Sequence, residues 1–143
     1  MKRAFSLIEI IIVIVIISIV TSFLIGKYAN SLTNSTKITI KADIALINSS
    51  ISKQNSKNTL LNEEKINSLD NATFDQKNSL LFTKVLDKPL LSTNQMEKSL
   101  GKWIKISNNR YRVFFEKDKY LEYQFIDNSF KCKSSLELCR EFE

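Results

Sequence analysis

The chain has one long apolar run, which lies close to its N-terminus. Residues 10–25 read IIIVIVIISIVTSFLI and hold no charged side chain. About 20 apolar residues are enough for a helix to cross a bilayer. From Phe5 to Gly26 the run is interrupted only by Glu9 and by hydroxyl side chains, which a membrane helix tolerates because they bond back to the preceding turn. The pattern therefore predicts a membrane-spanning helix over residues 5–26.

An amphipathic pattern with helical spacing follows the run. Four isoleucines recur at intervals of four, three and four residues and so share one helix face; they are Ile40, Ile44, Ile47 and Ile51. The pattern fades near residues 54–56, and Asn58 is a candidate helix terminator. We expect the helix to continue over residues 27–56 beyond the membrane and to offer its isoleucine stripe to a small domain.

Residues 57–143 are predicted to form that domain, and its first part is irregular. Residues 57–79 are mostly polar and are interpreted as a connecting segment. A short helix is predicted over residues 79–86, with Asn78 or Ser79 as its N-cap. A second is predicted over residues 94–100, with Gly101 as its C-cap.

From Lys102 onward the apolar residues recur with a period of two, which is typical of strands. The sequence predicts four strands joined by Asn/Asp turns; the strands cover residues 103–106, 110–115, 120–126 and 130–133. The expected fold is therefore α+β: a long N-terminal helix, membrane-spanning in its first half, packed on a small C-terminal antiparallel β-meander.

The composition excludes most enzyme chemistry. The 143 residues include no His, two Cys and two Gly. Without His, neither Ser-His-Asp or Cys-His catalysis nor His-ligated zinc is possible. Two Cys cannot complete a four-ligand zinc or iron–sulfur site, and two Gly are too few for a glycine-rich phosphate loop. The acidic residues near the C-terminus lack the spacing of a calcium loop. We expect no enzymatic activity, no cofactor and no metal.

The charged residues that flank the apolar run indicate how the chain is oriented. Lys2 and Arg3 lie on its short side, which favours a cytoplasmic N-terminus and places the rest of the chain across the membrane. The sequence Thr21-Ser22-Phe23 is a poor match to a signal-peptidase site, so cleavage after the run is not expected.

Glu9 is the one carboxylate inside the apolar run. Burying such a charge in a bilayer costs roughly 2.5–3.5 kcal/mol on insertion scales. Either Glu9 reaches the cytoplasmic interface, or it meets a positive partner within the membrane. The sequence KRAFSLIE at residues 2–9, followed by the apolar helix, resembles the processing site of type IV pilins and type II secretion pseudopilins.

The resemblance implies a role for each residue of this site. Residues 1–4 would be a leader peptide that prepilin peptidase removes by cutting between Ala4 and Phe5. The new amine of Phe5 would be N-methylated, and Glu9 would pair with that amine on the neighbouring subunit. Two features depart from the family: Ala4 stands where Gly is usual, and the membrane helix has no Pro, since the only one is Pro89.

The resemblance also implies a location and partners. The protein would be a single-pass protein of the bacterial inner membrane with a periplasmic head. Its partners would be other pilin or pseudopilin subunits, the peptidase and the inner-membrane assembly platform. Cys132 and Cys139 would then lie in an oxidising compartment, where a disulfide would contribute roughly 2–3 kcal/mol by closing a short loop. Free thiols are the alternative.

The favoured hypothesis is a structural subunit, a pseudopilin or minor pilin, of a periplasmic filament that serves type II secretion or DNA uptake. The alternatives are a major type IV pilin and a monomeric, signal-anchored periplasmic binding protein. Basic and aromatic side chains alternate between residues 98 and 120, which is compatible with nucleic-acid binding. The same alternation is expected of strands whose aromatic rings face a core, and this interpretation is preferred.

Overall fold

The computed structural model describes residues 7–142, except for the side chains of residues 24–32. The chain divides into two compact units, Met1–Ser35 and Thr36–Glu143. Helix α1, Leu7–Leu60, contributes residues to both units. All other helices and strands in the described part of the chain belong to the second unit, which we call the head.

In the first unit, α1 is apolar and its hydroxyl groups bond to the helix itself. Ser18 Oγ donates to the carbonyl oxygen of Ile14 at 2.7 Å, and Thr21 Oγ1 donates to that of Ile17. This back-bonding is the reason why hydroxyls were expected to be tolerated here. Among the described residues, no helix combines the length and the apolar character needed to cross a membrane. The span predicted over residues 5–26 lies partly outside the described residues.

In the head, α1 extends further than its isoleucine stripe and ends at Leu60, beyond the predicted end at residue 56. The polar side chains of the last turns bond along the helix, as Gln54 Nε2 does to Asn58 Oδ1 at 3.1 Å. The helix is terminated by Asn62, which has a left-handed φ of 54°. Asn58, the predicted terminator, instead donates from Nδ2 to the carbonyl oxygen of Glu64 at 2.7 Å and so holds the chain that follows.

The four predicted strands are present and form one antiparallel sheet in the order β3-β4-β5-β6. Before them, β1 (Leu80–Leu81) and β2 (Leu90–Leu91) form a separate two-stranded ribbon. The main sheet comprises β3 (Trp103–Ser107), β4 (Arg110–Glu116), β5 (Lys119–Ile126) and β6 (Ser129–Cys132). Asp127 and Asn128, between β5 and β6, both have positive φ, which suits a two-residue hairpin turn. The α+β class and the meander are confirmed.

Both short helices predicted between the connecting segment and the sheet are wrong. Residues 79–86 instead begin with β1 and then turn at Phe82, whose φ of 62° is incompatible with a right-handed helix. Residues 94–100 make a single turn in which Asn94 Oδ1 accepts from the amide of Glu97 at 2.8 Å. Lys98 then adopts a φ of 47°, so no helix can propagate.

The core lies between the isoleucine stripe of α1 and one face of the sheet. The four isoleucines are at most 6% exposed, as the sequence predicted. They belong to one cluster with an aromatic layer in which Trp103, Tyr111, Tyr123, Phe130 and Phe82 contact one another at ring-centroid distances of 4.7 to 5.9 Å. Large buried aromatic side chains contribute strongly to the stability of a core.

A C-terminal helix, α2 (Leu136–Phe142), was not predicted. Ser135 caps it by accepting from the amide of Leu138 at 3.4 Å. Its Phe142 is 1% exposed and packs on Phe115 with a ring-centroid distance of 5.1 Å. Seven residues show too little periodicity to be recognised as a helix, and α2 is held by these tertiary contacts.

Candidate assembly site

Of the residues predicted to direct processing and assembly, the described structure contains Glu9. Ala4 and Phe5 lie outside the described residues. Glu9 is in the first turn of α1 and is exposed. It lines a shallow, almost wholly apolar groove along the helix together with Ile10, Val13 and Ile14. The carboxylate therefore lies in an apolar surface, where an opposite charge would interact with it strongly once water was excluded.

The surface around Glu9 is apolar on every side of the helix. The isoleucine and valine side chains from Ile10 to Val20 are each 48 to 58% exposed. A helix that is hydrophobic all round is normally covered by lipid or by other protein. The described residues of the chain leave these side chains uncovered, so their burial requires a bilayer or other chains.

The candidate nucleic-acid surface of the head is largely used within the chain. Arg112 pairs with Glu122 at 2.6 Å, and its guanidinium lies 4.0 Å from the centroid of the Tyr120 ring. Other basic side chains between residues 98 and 120 also pair with carboxylates, through the contacts Lys98–Asp118, Arg110–Glu122 and Lys119–Glu116. Trp103, Tyr111 and Phe114 are at most 3% exposed. Stacking on bases needs exposed rings, so the geometry favours the core interpretation of these aromatic residues.

Lys105 departs from the expectation that the basic side chains of the sheet face water. Its side chain is 4% exposed, and Nζ donates to Asp70 Oδ1 at 2.7 Å. Tyr111 OH donates to Asp70 Oδ2 at 2.9 Å, and burial, reinforced by the Asp70 charge, raises the pKa of this phenol. A buried ion pair is thus formed between the connecting segment and β3. The sequence pattern missed it because Asp70 lies in a polar stretch that resembles solvated loop.

The structure joins Cys132 and Cys139 in a disulfide with an S–S distance of 2.00 Å. The bond connects β6 to α2, and its sequence separation is seven residues. Cys139 is 8% exposed, beside the buried Phe142 of the same helix. The bond therefore holds the C-terminal helix next to the edge of the sheet.

Comparison with protein families supports the N-terminal motif. Residues 1–25 match the family model described as the prokaryotic N-terminal methylation motif. This is the prepilin signal of type IV pilins and pseudopilins, so the chain has the N-terminus of a pilin-like structural precursor. Comparison with curated proteins and with solved structures gave no significant match.

Proposed function

We propose that this protein is a pseudopilin or minor pilin, a structural subunit of a pilus-like filament in the periplasm. Prepilin peptidase removes residues 1–4, and the amine of Phe5 is methylated. The helix anchors the subunit in the inner membrane until the assembly platform transfers it into the filament. The head remains on the periplasmic side.

The observation that carries this proposal is the methylation motif at residues 1–25. Within the motif, the carboxylate of Glu9 lies in a helix surface that is otherwise apolar and that the described residues leave exposed. A lone carboxylate on such a surface is costly to bury, and so is the free amine of a processed N-terminus. Pairing Glu9 of one subunit with the amine of Phe5 of the next relieves both costs. It also fixes the axial register of neighbouring subunits, which is the best-attested use of a buried polar contact.

A pseudopilin or minor pilin is favoured over a major pilin because the head is small and simple. Its main sheet has four strands. Type II secretion and DNA uptake both use filaments of this kind. The basic side chains of the strands form ion pairs with carboxylates, which gives no support to direct DNA binding by this head.

The decisive experiment replaces the carboxylate and measures contacts between subunits. Glu9→Leu removes the partner of the neighbour's amine and leaves that cation unpaired in an apolar interior. Breaking a buried pair costs roughly 3–5 kcal/mol, so assembly should fall at least about a hundredfold at 1.4 kcal/mol per tenfold. The measurement is in-cell cross-linking of neighbouring subunits at matched protein levels.

Two controls separate assembly from other defects. Thr21→Val removes a polar group from the same helix and should leave the cross-linked ladder unchanged. Mass spectrometry should show that wild type and Glu9→Leu both lose residues 1–4 and gain one methyl group. In the monomeric-anchor alternative, Glu9→Leu is neutral or improves insertion, so equal ladders from both proteins would exclude the filament proposal. An intact N-terminus in cells that contain the peptidase would exclude the processing step.

A further inference from the structure

An open polar cleft of about 530 Å³ lies in the head, between the connecting segment and the turn that joins β3 to β4. Its volume falls within the range of roughly 300–1,000 Å³ that is usual for ligand sites. Four amide side chains line it, contributed by Asn67, Asn71, Asn108 and Asn109. Phe74 contributes a half-exposed ring, and the rest of the lining comes from Ser68, Asp70, Ala72 and Lys105.

The buried ion pair makes the cleft polar without giving it a net charge. The side chains of Lys105 and Asp70 are 4% and 0% exposed. An ion pair buried this deeply adds little net stability compared with apolar residues of the same volume. Lys105 Nζ uses two of its three N–H groups on Asp70, at 2.7 Å to Oδ1 and at 3.3 Å to the carbonyl oxygen. A third N–H is then available to an acceptor in the cleft or to the Phe74 ring, whose centroid is 5.8 Å away.

One side-chain amide oxygen of the cleft wall lacks a hydrogen-bond donor among the described residues. Asn109 Nδ2 donates weakly to the carbonyl oxygen of Asn67 at 3.4 Å, whereas Asn109 Oδ1 is buried and accepts no hydrogen bond from the described residues. A buried acceptor without a donor is unfavourable, because it loses the hydrogen bonds that water would give it. A ligand hydroxyl that reached this oxygen after a small rotation of the side chain would remove the cost.

We propose that this cleft binds a neutral saccharide, independently of filament assembly. A sugar ring presents hydroxyl groups that both donate and accept, which suits amide side chains, and it also has an apolar C–H face that suits the exposed ring of Phe74. An anionic ligand is disfavoured because Asp70 neutralises Lys105.

An extended peptide fits the cleft less well than a saccharide. An extended peptide commonly binds by adding a strand to a free sheet edge. The outer edge of β3 is already occupied here: the amide of Asp75 donates to the carbonyl oxygen of Lys105, and the amide of Thr93 to that of Trp103, each at 3.0 Å.

The test uses the full chain in a zwitterionic detergent, because alkyl-glycoside detergents would themselves present sugars. The labelled protein is applied to a printed array of neutral, sialylated and sulfated oligosaccharides, and the best neutral glycan is then titrated by calorimetry. Neutral glycans should be retained. Phe74→Ala and Asn71→Ala, both at exposed positions, should each weaken the titrated affinity at least tenfold.

Matched controls lie outside the cleft. Leu80→Ala removes a side chain that is 53% exposed, close to the 49% of Phe74, and Gln95→Ala removes an exposed amide; both should change affinity less than twofold. Near-ultraviolet circular dichroism of Trp103 should be the same in all four variants. Retention of no neutral glycan, a preference for anionic glycans, or binding that Phe74→Ala and Asn71→Ala leave intact would each overturn the proposal. Capture of a peptide from a library in place of a glycan would also overturn it.

Discussion

At the scale of single residues, Asp70 fixes the connecting segment to the core. Its carboxylate accepts from the amides of Ala72 and Phe82, from Lys105 Nζ and from Tyr111 OH, at distances of 2.7 to 3.1 Å. The contact with Phe82 matters because this bulky residue has a φ of 62°. Such a conformation costs of order 1–3 kcal/mol and persists only where the surroundings hold it. Complete burial of the Phe82 ring supplies that support.

We predict that breaking this network from either side destabilises the head by about 3–5 kcal/mol, because each change leaves a buried charge unpaired. Lys105→Met leaves the Asp70 carboxylate without its counter-ion. Asp70→Ala leaves the Lys105 ammonium without its counter-ion and also removes the acceptor of two backbone amides, so it should lower the free energy of unfolding by at least as much. The double variant should lose less than the sum of the two. Urea unfolding followed by Trp103 fluorescence measures all three.

The matched control for this prediction is Lys98→Met, which removes a lysine from an exposed ion pair with Asp118. Exposed pairs contribute little, so stability should hardly change. If Lys98→Met and Lys105→Met lost the same stability, the buried network would not have the role assigned to it.

Asp43 gives a prediction of pH dependence. Burial raises the pKa of Asp43, and the hydrogen bond from Trp103 Nε1 at 3.0 Å opposes the rise only in part. The carboxyl of Asp43 therefore stays protonated to higher pH in the native state than in the unfolded state. Protonation of Asp43 thus favours folding at low pH, and this contribution to stability is lost as pH rises through the native pKa. Asp43→Asn keeps an acceptor for Trp103 without the charge. It should be at least as stable as wild type at pH 7. The difference should shrink as the pH falls through the raised native pKa and be nearly gone below about pH 4, where the unfolded carboxyl is protonated as well.

Asp118→Asn serves as the control: it removes one partner of an exposed pair, so it should change stability little at pH 7, and any loss should shrink as the pH falls. The hydrogen bond and charge of Lys98 lower the pKa of Asp118, so the contribution of this carboxylate is present above the unfolded pKa and is lost as pH falls. Urea midpoints at pH 7 and pH 3.5 distinguish the two variants. A larger advantage of Asp43→Asn at pH 3.5 than at pH 7 would contradict the proposed cause.

At the scale of elements, α1 closes an edge of the sheet as well as filling the core. Asn48 Oδ1 accepts from the amide of Phe130 at 3.2 Å, and its Nδ2 donates to the carbonyl oxygen of the same residue at 3.4 Å. A side-chain amide thus takes the place of the next strand beside β6. Unpaired backbone groups on an edge strand can pair with other chains, and this contact satisfies those of Phe130.

We predict that Asn48→Ala destabilises the head by about 1–3 kcal/mol, because two partly buried backbone groups lose their partners. Asn48→Asp keeps the acceptor but loses the donor, and should fall between Asn48→Ala and wild type. Urea unfolding measures stability, and hydrogen exchange at the Phe130 amide reports the edge directly. Ser49→Ala, at the adjacent exposed position, is the control. Unchanged exchange at Phe130 in Asn48→Ala would show that the edge does not depend on this side chain.

At the scale of the whole molecule, the proposed orientation makes a joint prediction about the disulfide and the head. A head that lies in the periplasm should keep Cys132 and Cys139 oxidised, so both should resist alkylation in cells until a reductant is added. Protease added to spheroplasts should digest the head, while a cytoplasmic marker protein in the same sample remains intact. Thiols that react without a reductant, together with a head protected from protease, would show that the head lies in the cytoplasm instead.

The sequence by itself determined the parts of this protein that depend on residues close together in the chain. The isoleucine stripe and the four strands show their own periods of apolar residues, and the hairpin at Asp127 and Asn128 follows from the tolerance of these two residues for positive φ. The motif around Glu9 was likewise visible because it occupies a continuous stretch of chain.

Only the tertiary structure decided what depends on contacts between distant residues. Residues 79–86 have the composition of a helix, but Asp70 binds the amide of Phe82, and β1 pairs with β2. Lys105 would face water in an isolated strand, yet the connecting segment covers it and supplies its counter-ion. The polar cleft is formed by residues about 35 positions apart in the chain, as Asp70 and Lys105 are. Propensity and periodicity report the preferences of a local segment, and these are outweighed wherever burial and hydrogen bonds with distant residues are worth more free energy.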